Sequence, residues 1–307
     1  MPLLKIYFFI LNNLPMTAQP KIIQIKLGDK NYPTLLREIP NAPEKIFVLG
    51  TLPPPNLPLV AVVGTRKHTR EGKLVTEQLA AALARRGVGI VSGLALGIDK
   101  IAHEATLNEG GYTIGVLGSG LADKSIHPTT HLKLAHRIIE QGGCLITEYP
   151  SDFKATLYSF PARNRIIAGL TLATLVTEAP ARSGALITAK AALDYNREVL
   201  CVPQSIFNER GAGNNKFIKL GARVATDWRD VFEAINLPIN EECPMAVTKL
   251  SQPEQALYNL ITGAPQHADQ IIKASGLASG GAMGILTMLE LKGLIKNVGG
   301  AQYALRG

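Results

Sequence analysis

Arginine, glycine and small hydroxyl residues form the groups in this sequence that could do chemistry, and the chemistry they suit is anion binding. Each group lies in the segment that follows an apolar run. The groups are Gly64-Thr65-Arg66, Ser92-Gly93, Gly118-Ser119-Gly120 and Ser183-Gly184. Where a helix begins after such a group, its free backbone N–H groups and its dipole attract negative charge. Several of these groups on one edge of a domain would bind a row of phosphates.

Most of these residues also have a structural explanation. A glycine after a strand usually serves turn geometry, and Ser92, Ser119 or Ser183 can be an ordinary helix cap. Arg66 is harder to explain in this way, because it lies next to a glycine that lets another backbone approach closely. We therefore treat Arg66 as the strongest candidate for a ligand contact among these groups.

A catalytic interpretation is open for one pair of residues. Asp99 and His103 are four apart in a predicted helix, so they could form a general-base pair, although such a contact more often only stabilises the helix. A dinucleotide site is disfavoured, because Gly64-Thr65-Arg66-Lys67-His68 stands where G-x-G-x-x-G would be needed. A Walker A motif is missing as well. We expect no catalytic residue, no cofactor and no metal site.

The elements that must position these residues alternate between strands and helices. Apolar runs begin with LVAVVGT (59–65), and each is followed by a segment whose apolar positions recur at three and four residues. Strands that are apolar throughout, between helices, indicate a mostly parallel sheet covered on both faces. We therefore predict an α/β fold, a doubly wound domain over residues 59–235. In such a sheet, ligands bind outside the carboxyl ends of the strands, where the anion-binding groups lie.

Proline-rich segments divide the rest of the chain. LPPPNLP separates residues 1–58, an N-terminal extension and lead-in segment, from the core. Residues 236–252 predict a linker, and residues 253–307 predict three helices and a glycine-turned hairpin, as in a winged helix. A generic three-helix cap is the alternative. Because the recognition helix of this small domain lacks Arg, Asn and Gln, we expect an accessory or protein-contact domain rather than a reader of duplex DNA.

The composition sets broader limits. Lys plus Arg number 32 against 24 for Asp plus Glu, a formal charge of +8 with a pI near 9.4. This charge suits a polyanionic partner but also fits many proteins that bind none. Three widely spaced cysteines without a C-x-x-C pair argue against a disulfide framework or a zinc site. No apolar run is as long as a membrane span and the N-terminus makes a poor signal peptide, so we expect a cytoplasmic protein without a membrane partner.

Six segments, in this order and spacing, resemble the DprA/Smf family, the DNA-processing proteins of natural transformation. They are VAVVGTR, SGLALGID, GVLGSGL, FPARNRIIAGL, LVTEAPARSGALITA and VPQSIFNERGAGNNKFIKLGA. The resemblance runs from about Asn31-Tyr32-Pro33 to Asp227-Trp228. It implies an extended Rossmann-type core that binds single-stranded DNA, forms a homodimer and passes the strand to the RecA recombinase.

The resemblance also implies roles for particular residues. The basic DNA pocket of the family would be lined here by Arg66, Phe160, Arg163, Asn164 and Arg165. Lys154 is a further basic residue shortly before this motif. The helix of GNNKFIKLGA would lie near the dimer and recombinase contacts, and its candidate residues are Asn215, Phe217, Ile218 and Lys219.

The sequence departs from the family pattern at several positions of these motifs. Leu96 stands where members usually have an arginine, and His127-Pro128 stands where they often have Tyr-Pro. Gln204 replaces the glycine of V-P-G, and Leu157 occupies a position that is basic in some members. These departures concern DNA affinity and partner contacts, not the fold.

The segment FPARNRIIAG, residues 160–169, poses a charge problem. Arg163 and Arg165 fall in the first turn of a predicted helix, where the dipole already places positive charge. Glu148 and Glu178 end two predicted strands; they could act together in hydrolysis, but we favour counter-ions for the arginines. Residues two apart on a helix point in different directions. We therefore predict that one arginine faces the DNA groove and the other faces a strand-end carboxylate.

From these observations we expect a non-catalytic single-stranded DNA-binding protein that protects incoming DNA and loads RecA. Its binding would be largely independent of sequence and would weaken with salt. One alternative is a nucleotide-hydrolysing enzyme of the same broad fold, similar to the lonely-guy phosphoribohydrolases, but their P-G-G-x-G-T-x-x-E motif is missing here. Another is a winged-helix DNA-binding regulator, which the low net charge of residues 253–307 disfavours.

Overall fold

A computed structural model describes residues 21–239, 252–261, 265–291 and 294–305. These residues form two compact units, which divide between residues 239 and 252. The strands of the first unit are β1 (Ile23–Lys26), β2 (Lys45–Gly50), β3 (Leu59–Val63), β4 (Gly89–Ser92), β5 (Thr113–Val116), β6 (Cys144–Thr147), β7 (Ala173–Val176), β8 (Glu198–Cys201) and β9 (Arg223–Val224). Its helices are α1 (Thr34–Arg37), α2 (Arg70–Arg85), α3 (Ile98–Asn108), α4 (Leu132–Glu140), α5 (Ser159–Gly169), α6 (Gly184–Asp194), α7 (Ala212–Lys219) and α8 (Trp228–Ala234).

The nine strands of the first unit form one sheet in the order β1-β2-β6-β5-β4-β3-β7-β8-β9. From β6 to β9 each neighbouring pair is parallel. Strand β3 is buried throughout: Val60 and Val62 pack with α2 on one face, and Ala61 and Val63 pack with α5 and α6 on the other. A strand covered on both faces has no polar side to alternate with, which is why LVAVV is apolar throughout. The predicted doubly wound α/β fold is confirmed.

The lead-in segment differs from its prediction as a separate extension. Strand β1 pairs antiparallel with β2, and β2 pairs antiparallel with β6, so residues 23–50 complete one side of the main sheet. Ile46 and Val48 are buried there with the residues of the parallel strands. The alternation in KIFVLG that signals this strand is only a few residues long, between turns and prolines. Residues 1–20 lie outside the described part of the chain.

Two cysteines are buried in the sheet of the first unit. Cys144 begins β6 and Cys201 ends β8, and both are free. Burial raises the pKa of each thiol to about 12, so neither forms a thiolate at neutral pH. Cys243 lies outside the described residues.

The second unit contains α9 (Gln252–Leu260), α10 (Ala268–Ser275), α11 (Ser279–Leu291), β10 (Gln266–His267), β11 (Ile295–Gly299) and β12 (Gln302–Leu305). The strands form a small antiparallel sheet in the order β10-β12-β11, and Leu257, Ile271, Leu286 and Tyr303 contribute to its core. Three helices and a hairpin confirm the predicted winged helix. Most of the predicted linker, residues 240–251, lies outside the described part.

The helices are short compared with a membrane span. Among the described residues, no single helix is long and apolar enough to cross a membrane. Helices α10 and α11 together have the length and composition of a membrane span, but they are bent sharply at the break between them. Side chains of both helices form the core of the winged helix.

Candidate functional site

A small open cleft lies at the carboxyl ends of β3, β4 and β5, beside the first turns of α5. This is the edge at which parallel sheets bind ligands. The cleft is lined by Arg66, Gly93, Ala95, Leu96, Gly118, His127, Pro128, Phe160 and Arg163. Five of these residues were predicted: Arg66, Gly93, Gly118, Phe160 and Arg163.

Arg66 and Phe160 form a cation–π pair in the cleft. The guanidinium carbon of Arg66 lies 5.4 Å from the centre of the Phe160 ring, and the centre of the His127 ring lies 5.4 Å from the same point. Arg66 is exposed, whereas Phe160 is half-buried. The pair therefore offers a positive charge for an anion and an aromatic surface for a planar group side by side.

Arg163 forms the buried part of the cleft and is only 5% exposed. Its Nη1 donates to the backbone oxygens of Gly93 and Val116, and its Nε donates to Asn164 Oδ1 at 2.9 Å. A side chain at Gly93 would collide with the guanidinium group, so glycine is needed at this position. Arg163 lines the cleft, as predicted for one arginine, but it also joins α5 to the ends of β4 and β5.

Asp99, in the first turn of α3, is a buried acid next to the same loop. Its Oδ2 accepts hydrogen bonds from the N–H groups of Gly93 at 3.1 Å and Ala95 at 3.4 Å. Burial raises the pKa of Asp99 and the positive charge of Arg163 opposes this; burial lowers the pKa of Arg163 and Asp99 opposes that. The Gly93 peptide thus lies between two opposite buried charges, and these loop N–H groups are used inside the protein.

His103 does not form the pair with Asp99 that the sequence suggested. Its Nδ1 lies 2.7 Å from Thr113 Oγ1, which itself donates to the backbone oxygen of Ile90. Since the Thr113 hydroxyl hydrogen is used, His103 Nδ1 is the donor of this hydrogen bond. Burial lowers the pKa of His103 to about 3, and the nearby charges of His131 and Arg163 add to this. His103 is therefore a neutral core residue whose hydrogen bond goes to Thr113 and not to Asp99.

The low pKa of His103 predicts a pH dependence of stability. Between the ordinary pKa of 6.5 and about 3, the unfolded chain binds a proton that folded His103 refuses. As the pH decreases from 6.5 toward 3, the free energy of unfolding should therefore fall by about 1.4 kcal/mol per pH unit. Above pH 6.5 His103 is neutral in both states and has no such effect. Urea titrations at about pH 7.5 and pH 5.0 measure the free energy of unfolding. Between these pH values, the decrease should be about 2 kcal/mol smaller in His103→Gln than in the wild type.

A matched control separates charge from packing in this prediction. Thr113→Val removes the acceptor of the His103 hydrogen bond and should cost about 1–3 kcal/mol already at neutral pH, because the buried N–H group loses its partner. If the wild type and His103→Gln lose the same stability between about pH 7.5 and pH 5.0, His103 is not the group that causes the acid-induced loss.

Arg165 points away from the cleft toward a carboxylate. Its Nη2 forms an ion pair with Glu148 Oε2 at the end of β6, and its Nη1 donates to the backbone oxygen of Asn41. The prediction that one of the two arginines faces Glu148 or Glu178 is therefore confirmed. The ion pair connects α5, the sheet and the lead-in segment, and Arg165 is absent from the cleft lining.

We expect Arg165→Ala to lower the free energy of unfolding by about 2 kcal/mol, since it removes a mostly buried ion pair and a hydrogen bond. Glu148→Gln removes the same ion pair from the other side and should cost a similar amount. Urea titration measures both losses. At a temperature where the variants stay folded, their ligand affinity should match the wild type. A stable Arg165→Ala protein with a tenfold loss of affinity would place Arg165 in the binding interface.

Glu178, at the end of β7, is completely buried and occupies the N-terminus of α2. Its Oε2 accepts the N–H of Thr69 at 2.8 Å, and its Oε1 accepts a hydrogen bond from Asn208 Nδ2 at 3.3 Å. A side chain at Gly72 would collide with this carboxylate. A carboxylate of the protein itself therefore occupies the helix end at which the sequence predicted a phosphate, and the exposed charges in this loop are Arg66 and Lys67.

The predicted hydroxyl residues have partners inside the protein. Ser92 and Ser119 donate to backbone oxygens and are buried, whereas Thr65 and Ser183 accept from the backbone N–H group two residues further on. The structural explanation of a cap holds for Ser183, which begins α6. The predicted residues outside the cleft lining are Gly64, Thr65, Ser92, Ser119, Gly120, Lys154, Asn164, Arg165, Ser183 and Gly184.

The residues predicted for partner contacts lie on α7. Asn215 faces inward: its amide donates to the backbone oxygen of Gln204 at 2.9 Å and accepts from the Gln204 N–H at 3.0 Å. Phe217 and Ile218 are half-buried against the core, and Lys219 is exposed. Leu220, which was not predicted, is 71% exposed.

Four lining residues were missed: Ala95, Leu96, His127 and Pro128. Three of them were visible in the sequence as departures from a family pattern, Leu96 in SG-x-A-R-GID and His127-Pro128 in place of Tyr-Pro. Departures from the family pattern at motif positions could therefore have indicated these three cleft residues. Among the described residues, no group of three or more His, Cys, Asp and Glu could hold a metal ion.

The sequences of both units match known protein families. Residues 23–236 match the family described as DNA recombination-mediator protein A, and residues 241–301 match the DprA winged helix domain. Protein Smf of Escherichia coli is 40% identical over 229 residues, which are 75% of this chain and 61% of that protein. DNA processing protein DprA of Streptococcus pneumoniae is 40% identical over 211 residues, 69% of this chain and 73% of that protein. The chain thus spans less than two thirds of the E. coli relative.

Two solved structures are similar to this one. DNA processing protein A of Streptococcus pneumoniae has a TM-score of 0.64 at 36% identity, covering 72% of this chain and 76% of that one. DNA processing protein A of Helicobacter pylori, studied for its single-stranded DNA binding mode, has a TM-score of 0.60 at 30% identity. The second match covers 72% of this chain and 97% of that one.

Proposed function

The chain belongs to the DNA recombination-mediator protein A family, also named DprA or Smf, and on this basis we propose that it binds single-stranded DNA in the cleft around Arg66 and Phe160. The resemblance inferred from the motifs is thereby confirmed. The observation that carries the proposal is the exposed Arg66 guanidinium over the Phe160 ring, in an open cleft at the carboxyl edge of the sheet. The single-stranded DNA binding described for the Helicobacter pylori protein supports it.

The geometry favours a single strand over a duplex. A base can stack on Phe160 only when it is unstacked from its neighbours, which costs far less in a single strand than in a duplex. Arg66 beside the ring provides a charge for the adjoining phosphate. Since every base has a flat face, such binding is largely independent of sequence.

We also propose the partners that the resemblance implied. The protein would act in the cytoplasm as a homodimer, without catalysis, protecting incoming DNA during natural transformation and loading RecA onto it. Leu220 is 71% exposed and follows the half-buried Phe217 and Ile218, so apolar side chains are grouped at the end of α7, which supports a protein contact at this helix. Asn215 would support the contact indirectly, by holding the neighbouring loop.

A titration of the full chain tests the proposal. Fluorescence anisotropy with labelled single- and double-stranded oligonucleotides of the same sequence, across a range of salt concentrations, should show tighter binding of the single strand. The logarithm of its affinity should fall linearly with the logarithm of salt, by about 0.7 per phosphate neutralised. Equal or tighter binding of the duplex would contradict the proposal.

A further inference from the structure

The loop after β8 carries the most exposed aromatic side chain among the described residues. Phe207 is 90% exposed and the adjacent Ile206 is 87% exposed. We call these two residues the apolar tip. Single exposed apolar residues are common, but two adjacent large ones at the end of a well-fixed loop mark a contact surface.

Hydrogen bonds on both sides of the apolar tip hold the loop in place. Before it, the Gln204 backbone is bound by Asn215, and Gln204 Nε2 donates to the backbone oxygen of Thr177 at 3.0 Å. After it, Asn208 Nδ2 donates to Gln204 Oε1 at 3.0 Å and to Glu178 Oε1 at 3.3 Å. The tip is therefore exposed on a pre-organised support, which lowers the entropy cost of binding a ligand there.

The same loop contacts the loop that carries Arg66. Arg210 Nη1 donates to the backbone oxygens of Lys67 at 3.2 Å and His68 at 3.4 Å, the two residues that follow Arg66. Glu178 links the same two loops, because it binds Asn208 and the Thr69 N–H. The apolar tip and the cleft are thus neighbours on one edge of the sheet.

Positive charge predominates on this part of the edge. Exposed cations follow β3, β7 and β8, opposed by exposed Glu71 and Glu209. The exposed cations are Arg66, Lys67, Arg70, Arg182 and Arg210. An aromatic side chain among cations suits a ligand that has both flat apolar groups and a row of negative charges.

We infer that Phe207, with Ile206 beside it, is a second stacking site for the strand bound in the cleft, so that the strand continues from Arg66 across Lys67 and Arg210 to the apolar tip. This inference rests on the proposed function. Continuity with the cleft and the excess of cations favour a nucleic acid strand over a protein as the occupant. A base would stack on Phe207 while its phosphates approach the flanking cations.

The length of the strand tests the inference. We compare oligothymidines of about 6 and about 20 nucleotides, within and beyond the usual site of a single binding module. For Phe207→Ala in the full chain, we expect wild-type affinity for the short strand and about a tenfold loss on the long one. The salt slope should stay unchanged, because stacking releases no counter-ions. Leu193→Ala, a 49% exposed apolar residue near the far end of α6, is the control and should bind both strands like the wild type.

A second variant reports on stacking directly. The native chain has one tryptophan, Trp228, which is buried. In Phe207→Trp, the new exposed indole should keep wild-type affinity, and its fluorescence should be quenched by the long oligothymidine. Quenching by the long strand but not by the short one would locate a base at this position.

The outcomes separate this inference from the proposed function. If the wild type binds neither strand, both fail. If the wild type binds but Phe207→Ala binds the long strand equally well, the inference alone fails. If Phe207→Ala also changes the molar mass in light scattering and Phe207→Trp shows no quenching by DNA, the apolar tip contacts a protein or a second copy, and the inference is overturned.

Discussion

Replacing Arg163 with methionine is expected to lower the free energy of unfolding by about 3–5 kcal/mol, because it removes a buried charge that donates three hydrogen bonds and opposes the charge of Asp99 across the Gly93 peptide. Methionine fills much of the volume but leaves Asp99 buried without the opposing charge. It also leaves the backbone oxygens of Gly93 and Val116 without the donor they have now. Urea unfolding, followed by circular dichroism, measures the loss.

A double-mutant cycle shows whether Asp99 causes this loss. Asp99→Asn in the Arg163→Met background removes the uncompensated charge, so the double variant should be more stable than the sum of the single losses by at least about 1 kcal/mol. Arg163→Met with a loss below about 1 kcal/mol, or strictly additive losses, would contradict the buried pair.

This result would change how DNA-binding variants are interpreted. A combined Arg163→Ala and Arg165→Ala variant removes two residues that connect α5 to the sheet and to the lead-in segment. Its loss of DNA affinity would follow from unfolding as readily as from a lost contact. Arg66 is the sharper test, because its guanidinium is exposed.

Arg66→Ala is expected to weaken single-stranded DNA binding about tenfold or more at low salt and to reduce the salt slope by about one phosphate contact. Its free energy of unfolding should change by less than about 0.5 kcal/mol, since Arg66 is an exposed side chain. Phe160→Ala should lose about 1–3 kcal/mol of binding free energy while keeping the salt slope, because it removes stacking and no charge. Anisotropy titrations at several salt concentrations measure both effects.

A matched variant controls for net charge. Lys190→Ala removes one exposed positive charge from α6, away from the cleft lining, and should bind like the wild type. Wild-type affinity in Arg66→Ala, or an equal loss in Lys190→Ala, would mean that binding follows the overall charge and not the cleft.

Much of the fold could be predicted from local patterns. LVAVV and its counterparts are apolar throughout because both faces of the sheet are covered, and helices of regular period follow each of them. Strands β1 and β2 were not predicted, because a short antiparallel strand such as β2 depends on pairing with distant β6 more than on its own sequence. The alternation of strands and helices along the chain also indicated which loops lie together at the ligand-binding edge.

The site divides in the same way. By itself the sequence determined that Arg66, Phe160 and the two arginines of FPARNR lie at that edge, and that Arg163 and Arg165 require negative partners. Only the tertiary structure decided that Glu148 pairs with Arg165, that Asp99 opposes Arg163, and that Glu178 caps a helix 109 residues away from it in the chain. The charge of a segment can be read from its own residues. Which carboxylate neutralises that charge depends on which groups the tertiary structure brings close, because a buried charge without a partner is too costly.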